Sequence, residues 1–421
     1  MPWGPFLDWI DSQRDRMIAL VEYWASISSG TYHLAGISRM AEALRAEFGS
    51  LAPAAELVTV PPIAQVNPDG EVAWVSLGPV LSLRCRPRAR KRVLLAIHYD
   101  TVYPETSDFQ TLRRDQQYLL GPGVADAKGG IVVLLIALQA LERYVLQSGD
   151  TTLGWDVLLN ADEEIGSPGS CKLFEEAAAR NGLGLLYEPA LPSGELAGER
   201  KGSANFHLVC RGKSAHAGRH FDEGINAIAA ASRIAVQIHA LNGRWPGATF
   251  NVARIDGGGP LNMVPDNAVV RLNVRYTHAA HEAEIASALA EITNLVSAEG
   301  VSCLTHGAFT TPPKQIDATT ARLLAQVKES GHSLGLELNH RPTGGVCDGN
   351  RLAACGLPNV DTLGVRGGGI HSSDEFLVLE SLTERARLSA KLLIGWASGE
   401  LEWPLGTRSI EQPTSQREET S

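Results

Sequence analysis

Several things are scarce in this 421-residue chain, and each scarcity removes a class of protein. Positive charge is outweighed: 37 Lys and Arg against 47 Asp and Glu leave a net charge of −10, which argues against a general affinity for nucleic acid. The six cysteines (Cys85, Cys171, Cys210, Cys303, Cys347 and Cys355) contain no CxxC pair, a pattern that suits reduced thiols better than a disulfide framework. The longest apolar stretch, Gly129–Leu138, falls well short of the ~18–20 residues that span a bilayer. The opening MPWGPFLDWIDSQRDRM carries acids and lacks a sustained apolar run, so it is not expected to be a secretory signal. A cytoplasmic protein with no membrane segment and no nucleic-acid partner is the expectation. One local exception, the basic run Arg84, Arg86, Arg88, Arg90, Lys91 and Arg92, is expected to be a solvated hairpin.

What remains is ample for folding. The hydrophobic fraction is 44%, and a chain of this length exceeds one ordinary core, so roughly two domains of ~100–200 residues are expected. Apolar spacing predicts a helix over Phe6–Ile27 and another near Ile37–Phe48. Three compact apolar runs, Val93–Ile97, Val157–Leu159 and Leu183–Tyr187, read as buried strands, each stopping at a polar, chemistry-bearing segment. Loops at the ends of such strands converge on one edge of an α/β sheet, where ligands bind. Between Gly202 and about Ala308 the texture becomes strand Asn205–Arg211, helix Asn226–Leu241, strands Thr249–Ile255 and Ala268–Tyr276, and helix His281–Ser297. This β-α-β-β-α block is expected to be an inserted small domain with a four-stranded sheet.

Five short segments follow apolar runs or glycine turns: HYDTV, GPGVADAKGG, NADEEIGSPGS, YEP and GIHSSDE. They supply His98, Asp126, Glu164, Glu188 and His371, an imidazole and carboxylate set suited to zinc. Each has a bland alternative. His98 could be a satisfied polar residue, although Asp100 two positions on could orient its ring. GPGVADAKGG could be a packing turn into a helix over Ile131–Tyr144, although Asp126 could bridge two cations. Glu163 and Glu164 could be a solvated acidic turn, or one could bind metal while the other serves as a base toward water. Glu188 could simply end a strand, and His371 could precede a helix N-terminus. Five innocent explanations in this order are less economical than one site.

HYDTVYP, GPGVADAKGG, NADEEIGSPGS, GKSAHAG, GGPLNMVPDNAVVRLNVRY and GIHSSDE together resemble the dinuclear zinc peptidase family of glutamate carboxypeptidase, aminoacylases, acetylornithine deacetylase and succinyl-diaminopimelate desuccinylase. The texture is closest to the glutamate carboxypeptidase branch. The resemblance runs from about residue 10 to 400. It implies an α/β catalytic domain in two parts, 1–201 and 309–405, around a ferredoxin-like lid and dimerisation domain, 202–308, with a polar tail, 406–421. It also implies two zinc ions, or cobalt or manganese in their place. His98 and Glu188 would hold one, Glu164 and His371 the other, and Asp126 would bridge. Glu163 would be the general base, with Asp100 orienting His98. His216 would stabilise the oxyanion, and Asn262 and Arg275 would grip the substrate, within a homodimer joined through the lid. Two departures stand out: Cys347 where many relatives carry threonine or serine, and Ala127 after the bridging aspartate. The implied substrate is a small peptide or an N-acyl amino acid, so carboxypeptidase and deacylase remain open, with a non-catalytic peptide-binding protein disfavoured.

Overall fold

Where hydrophobic residues run without interruption, the chain forms fully buried elements. The computed structural model describes residues 2–52 and 54–405, so the polar tail expected at 406–421 lies outside the described residues. The principal helices are α1 (Gly4–Ser12), α2 (Arg14–Ala25), α3 (Leu34–Phe48), α4 (Gly130–Ser148), α5 (Ala227–His239), α6 (His281–Ser297) and α7 (Glu380–Ser398). The chain lays down β1 (Ala55–Val58), β2 (Val80–Cys85), β3 (Lys91–His98), β4 (Leu153–Asn160) and β5 (Leu183–Leu186). It then leaves for β6 (Gly202–Arg211), β7 (Thr249–Gly257), β8 (Asn267–Tyr276) and β9 (Ser302–Thr311), and returns with β10 (Asn359–Val360).

The body sheet has the order β1-β2-β4-β3-β5-β10. Strands β4, β3, β5 and the edge strand β10 run parallel, and β2 and β1 add antiparallel. Parallel strands need helices on their faces, which is why β4 is buried at every position and β3 at all but its first residue. Helix α4 packs with α7, α1 and α2 over this core. Each fully buried Leu, Ile or Val there contributes about 1.5–3 kcal/mol relative to exposure. Among the described residues one helical stretch, Val124–Ser148, is long and apolar enough to cross a membrane, and it is the buried helix at this centre.

Two local expectations need correction. The single N-terminal helix is broken at Gln13 into α1 and α2. Ser12 Oγ donates to the Trp9 carbonyl at 2.6 Å, a local bond that competes with the helical ladder at the break. The basic run is not a solvated hairpin either, because β4 inserts between β2 and β3. Arg92 is buried against Asp156, and Arg86 makes a two-pronged pair with Glu142 at 2.6 and 2.7 Å. Arg84, Arg88 and Arg90 face solvent, while Arg86 and Arg92 clamp neighbouring elements.

The second sheet, β7-β8-β6-β9, is wholly antiparallel. Helices α5 and α6 cover one face and supply its separate core with Ile234, Ile238, Ile285 and Leu289. Helix α5 begins at Asn226, whose Oδ1 accepts the Ala229 N–H at 3.0 Å as an N-cap. Strand β9 has no clean alternation; its pairing with β6 shifts register between Ser203 and Ala204, and at Gly307 an added Cβ would lie 2.0 Å from the Asn205 carbonyl oxygen. The two connections between the sheets run side by side: Arg200 and Lys314 exchange backbone hydrogen bonds at 3.0 Å. Both side chains converge on Asp361, with Arg200 at 2.7 and 3.0 Å and Lys314 at 2.7 Å. Burial alone would raise the Asp361 pKa, but these two cations hold it far below the usual carboxylate range. Removing Asp361 would strand two buried positive charges, at a cost of about 3–5 kcal/mol.

Candidate metal centre

Because β4, β3 and β5 are parallel neighbours, their carboxyl ends open on one edge of the sheet. His98 ends β3 and is registered against Asn160, the last residue of β4. Beyond β4 the chain turns at once into the single 3-10 turn Glu163–Ile165. Glu188 follows β5 by two residues. Asp126 lies in the irregular turn Val124–Gly129 that leads into α4, and the peptide bond after it is cis. Gly130 lets this turn sit against the backbone beside Glu188, since a Cβ there would lie 2.0 Å from the Tyr187 carbonyl oxygen. His371 arrives from a hairpin tip between Gly367–Gly368 and Phe376–Val378, with φ of 62°, rather than at a helix N-terminus.

The five side chains meet as two groups around one carboxylate. His98 Nε2 lies 3.0 Å from Asp126 Oδ1 and 3.7 Å from Glu188 Oε2. His371 Nε2 lies 3.2 Å from Asp126 Oδ2 and 3.3 Å from Glu164 Oε2. Each oxygen of Asp126 thus faces a different imidazole and carboxylate pair. Zinc bonds of about 2.0–2.2 Å in a tetrahedron require ligand atoms about 3.3–3.6 Å apart, and these spacings cluster around that value. Glu164 Oε1 is also buried with no hydrogen-bond partner, as suits an oxygen that binds a cation. The donor set therefore fits two divalent ions.

The electrostatics carry the same message. Burial, reinforced by Glu188 and other neighbouring carboxylates, pushes Glu163 well above the ordinary glutamate range, and burial pushes Glu164 up to about 7. His98 is disfavoured as a cation by burial, yet Glu188, Asp100 and Asp126 raise its pKa well above that of a free imidazole. Hydrogen bonds to Asp126 and Glu164 push His371 up to about 10. Negative charge is concentrated in a buried pocket where the imidazoles of His98 and His371, held protonated by these carboxylates, supply balancing charge. Divalent cations would replace those protons.

Asp100 is fully buried behind His98, whose Nδ1 lies 3.0 Å from the Asp100 backbone carbonyl and 3.3 Å from Asp100 Oδ1. It also accepts from Thr31 Oγ1 at 2.7 Å and from the Glu163 and Glu164 N–H groups at 3.3 and 3.4 Å. Asp100 thus faces the imidazole with its carbonyl and its carboxylate, and the carboxylate fixes the turn that carries both glutamates. The sequence reading passed over a comparable role for Glu375. Its two oxygens accept from the N–H groups of Gly123, Ala125 and Asp126 at 2.9–3.0 Å, and Tyr103 donates to it at 2.8 Å. Glu375 ties the Asp126 turn to the His371 hairpin; its place in GIHSSDE was the available signal. Asp348 was likewise passed over. Burial pushes it up to about 7, and it accepts from Ser167 Oγ at 2.5 Å and Asn160 Nδ2 at 3.0 Å, backing the strand end that precedes Glu163.

The lid residues divide. Arg275, on β8, is half-buried, its Nε donates to Asn273 Oδ1 at 2.9 Å, and its Nη1 is buried with no partner. Burial lowers its pKa, while the charge of Glu163 acts in the opposite sense, which puts the two within electrostatic reach. His216 and Asn262 are exposed on one lobe, where the Ala217 N–H donates to the Asn262 carbonyl at 2.9 Å. His216 Nδ1 accepts from the Gly218 and Arg219 N–H groups at 3.1 and 3.2 Å, so its Nε2 carries the proton and serves as a donor. Neither residue contacts the five-residue cluster.

Comparison with known proteins agrees with this architecture. The peptidase dimerisation domain of the M20 peptidases matches residues 198–301. Carboxypeptidase G2 of Pseudomonas sp. (strain RS-16) is 29% identical over 404 residues, covering 92% of this chain and 91% of that protein. Succinyl-diaminopimelate desuccinylase 2 of Shewanella loihica is 25% identical, covering 72% of this chain and 84% of its own. The M20 family metallo-carboxypeptidase of Sulfolobus solfataricus shares the fold with a TM-score of 0.70 at 15% identity, covering 91% and 99% of the two chains. With the dimerisation-domain match, the near full-length likeness to carboxypeptidase G2 and the strand-end constellation in agreement, the chain is similar over most of its length to M20 metallopeptidases and related amidohydrolases.

Proposed function

We propose that this protein is a two-zinc hydrolase that cleaves an amide bond beside an amino acid bearing a free carboxylate, acting as a carboxypeptidase on small peptides. The observation that carries the reading is Asp126, whose two oxygens each face a separate imidazole and carboxylate pair. His98 and Glu188 would hold one ion, Glu164 and His371 the other. Zinc in these positions supplies Lewis acidity, polarising the substrate carbonyl and lowering the pKa of water toward neutrality. Glu163, beside both positions, takes the proton from the attacking water and delivers it to the leaving nitrogen. Asp100 keeps the His98 ring aimed through Nδ1, and Glu375 keeps Asp126 in place. Cobalt or manganese would satisfy the same nitrogen and oxygen donors.

The lid, assigned to residues 202–308, supplies the remaining contacts. Arg275 Nη1, buried and unpartnered, receives the free carboxylate of the substrate through a charge-assisted bond. His216 donates from Nε2 to the oxygen that becomes negative as the carbonyl is attacked, with Asn262 beside it. Both reach the centre from the partner subunit of a homodimer joined through the lid, a reading supported by the dimerisation-domain match and by their exposure within one chain. The likeness to the desuccinylase supports a second reading, deacylation of N-acyl amino acids in the cytoplasm, which uses the same bond type and the same Arg275 contact.

A hydrolysis screen with zinc supplied separates the two. Dipeptides and glutamate-terminated peptides should be cleaved with higher kcat/KM than N-acetyl and N-succinyl amino acids. The reverse order would assign the deacylase role, and no hydrolysis of either class would overturn both.

A further inference from the structure

Six cysteines are scattered along the sequence, yet the fold brings two of them together. Cys210 lies near the end of β6 and Cys303 near the start of β9, and the antiparallel register sets them directly opposite. Opposed residues in such a ladder point to the same face with Cα atoms about 4.5–5.5 Å apart. A disulfide spans Cα separations of about 4.4–6.8 Å, so the ladder already holds both backbones where that bond needs them. Both side chains pack on the lid core, with Sγ atoms 3.8 Å apart. Side-chain rotation, rather than strand displacement, is what bond formation requires.

The two thiols are unequal. Cys210 is buried, whereas Cys303 is partly open on the edge strand. The hydrogen bond from Cys210 lowers the pKa of Cys303, and the same contact, with burial, raises that of Cys210. Cys303 is therefore the thiol that ionises and reacts first.

We propose that Cys210 and Cys303 form a reversible cross-strand disulfide by exchange with a small-molecule disulfide, and that this modification ties off the lid. The Cys303 thiolate attacks one sulfur of oxidised glutathione, forming a mixed disulfide and releasing one glutathione thiolate. Cys210 loses its proton to solvent, attacks Sγ of Cys303 and releases the second glutathione. Two protein thiols are oxidised and one glutathione disulfide is reduced to two thiols.

The placement gives the bond a consequence. β6 and β9 carry the chain into and out of the lid, paired from Ser203 and Thr311 at the body end to Cys210 and Cys303 near the far end. The two cysteines are 93 positions apart, and the segment between them holds the His216 turn, α5, β7, β8 and α6. Closing so long a loop removes conformational freedom from the unfolded lid and leaves every residue of the metal centre untouched.

The test incubates the zinc-loaded protein with oxidised glutathione, then reads free thiols, cross-linked peptides and the half-life of activity at elevated temperature. The expected result is a peptide pair joined through Cys210 and Cys303, the matching loss of two thiols, and a several-fold longer half-life, all reversed by dithiothreitol. Cys210→Ser should leave Cys303 carrying glutathione, Cys303→Ser should leave Cys210 unmodified, and neither should gain half-life. Wild-type protein that ends with glutathione on Cys303, or with both thiols intact, would overturn the proposal without recourse to either variant. A cross-link that leaves the half-life unchanged would overturn the claim that it ties off the lid.

Discussion

The metal centre and the His216 lobe are built in opposite ways. His98 and Asp100 are buried at the ends of a parallel sheet, and the turns bearing Asp126, Glu163 and Glu164 are each clamped by a second carboxylate, Glu375 or Asp100. His216 and Asn262 stand exposed on a lobe held by its own backbone hydrogen bonds. The body therefore holds its part of the proposed site in place before substrate arrives, whereas the His216 lobe holds ready only the tautomer of its histidine. The contrast assigns chemistry to the body and completion of the site to an approach between lid and body, within one chain or between two.

The largest effects should come from the preformed side. Glu163→Gln should lower kcat by ~10²–10⁴ while metal content stays near normal, because the side chain acts as a positioned acid and base. Glu164→Ala should instead lower metal occupancy, as measured by elemental analysis. Exchanged phenotypes would show the wrong glutamate has been placed at the metal.

On the exposed side, His216→Ala should lower kcat by ~10²–10³, the scale for losing one oxyanion donor, with little change in KM. Mixing His216→Ala subunits with Glu163→Ala subunits should restore activity, since one hybrid site would contain both intact groups. A verified mixed dimer without recovery would place His216 in its own subunit's site and make lid closure, rather than pairing, the completing step.

Arg275 lies between the two regions, and its replacement sharpens the contrast. Arg275→Ala should chiefly raise KM for carboxylate-bearing substrates, by the ~10–100-fold that a charge-assisted bond of roughly 1.5–3 kcal/mol implies. A substrate with an amidated terminus should show almost no change between wild type and variant. Equal losses on both substrates would remove Arg275 from carboxylate recognition.

The smallest effect concerns stability without metal. Glu164 and Asp348 are raised to about 7 and His371 to about 10, all above their unfolded values. For the two acids, the unfolded chain ionises first, so the folded state loses stability as pH rises from ~4 through 7. For His371, the protonated form is favoured by folding, so its contribution is complete below ~6.5 and is lost as pH rises through 10. Chelated protein should therefore melt at progressively lower temperature from pH 5 to pH 10, and zinc should flatten that slope. A metal-free melting temperature that rises across this range would contradict the arrangement of charges.

What the sequence revealed follows from which features are local. A side chain placed directly after an apolar strand is readable as part of a cluster at the sheet edge, because strand, turn and donor occupy nearby residues; the proposed ligands His98, Glu164 and Glu188 are of this kind. The clamps of Asp100 and Glu375 on backbone N–H groups depend on chain segments up to 252 positions apart, so only Asp100, two residues from its imidazole, was recognised. The basic run was misread because strand order is tertiary: nothing between Cys85 and Lys91 announces that β4 will part the two strands. The contact between Cys210 and Cys303 was invisible for the same reason, since it rests on the register of β6 against β9. The break at Gln13 was missed because the apolar spacing continues through it.

The central claim is that Asp126 joins two metal positions. Stepwise zinc titration of chelated wild-type protein and of Asp126→Ala, followed by calorimetry and elemental analysis, tests it directly. The account predicts about two zinc ions per chain for the wild type and severe weakening of both positions together in the variant. Saturation of the wild type at a single ion, or a variant that still binds two with unchanged affinity, would contradict it.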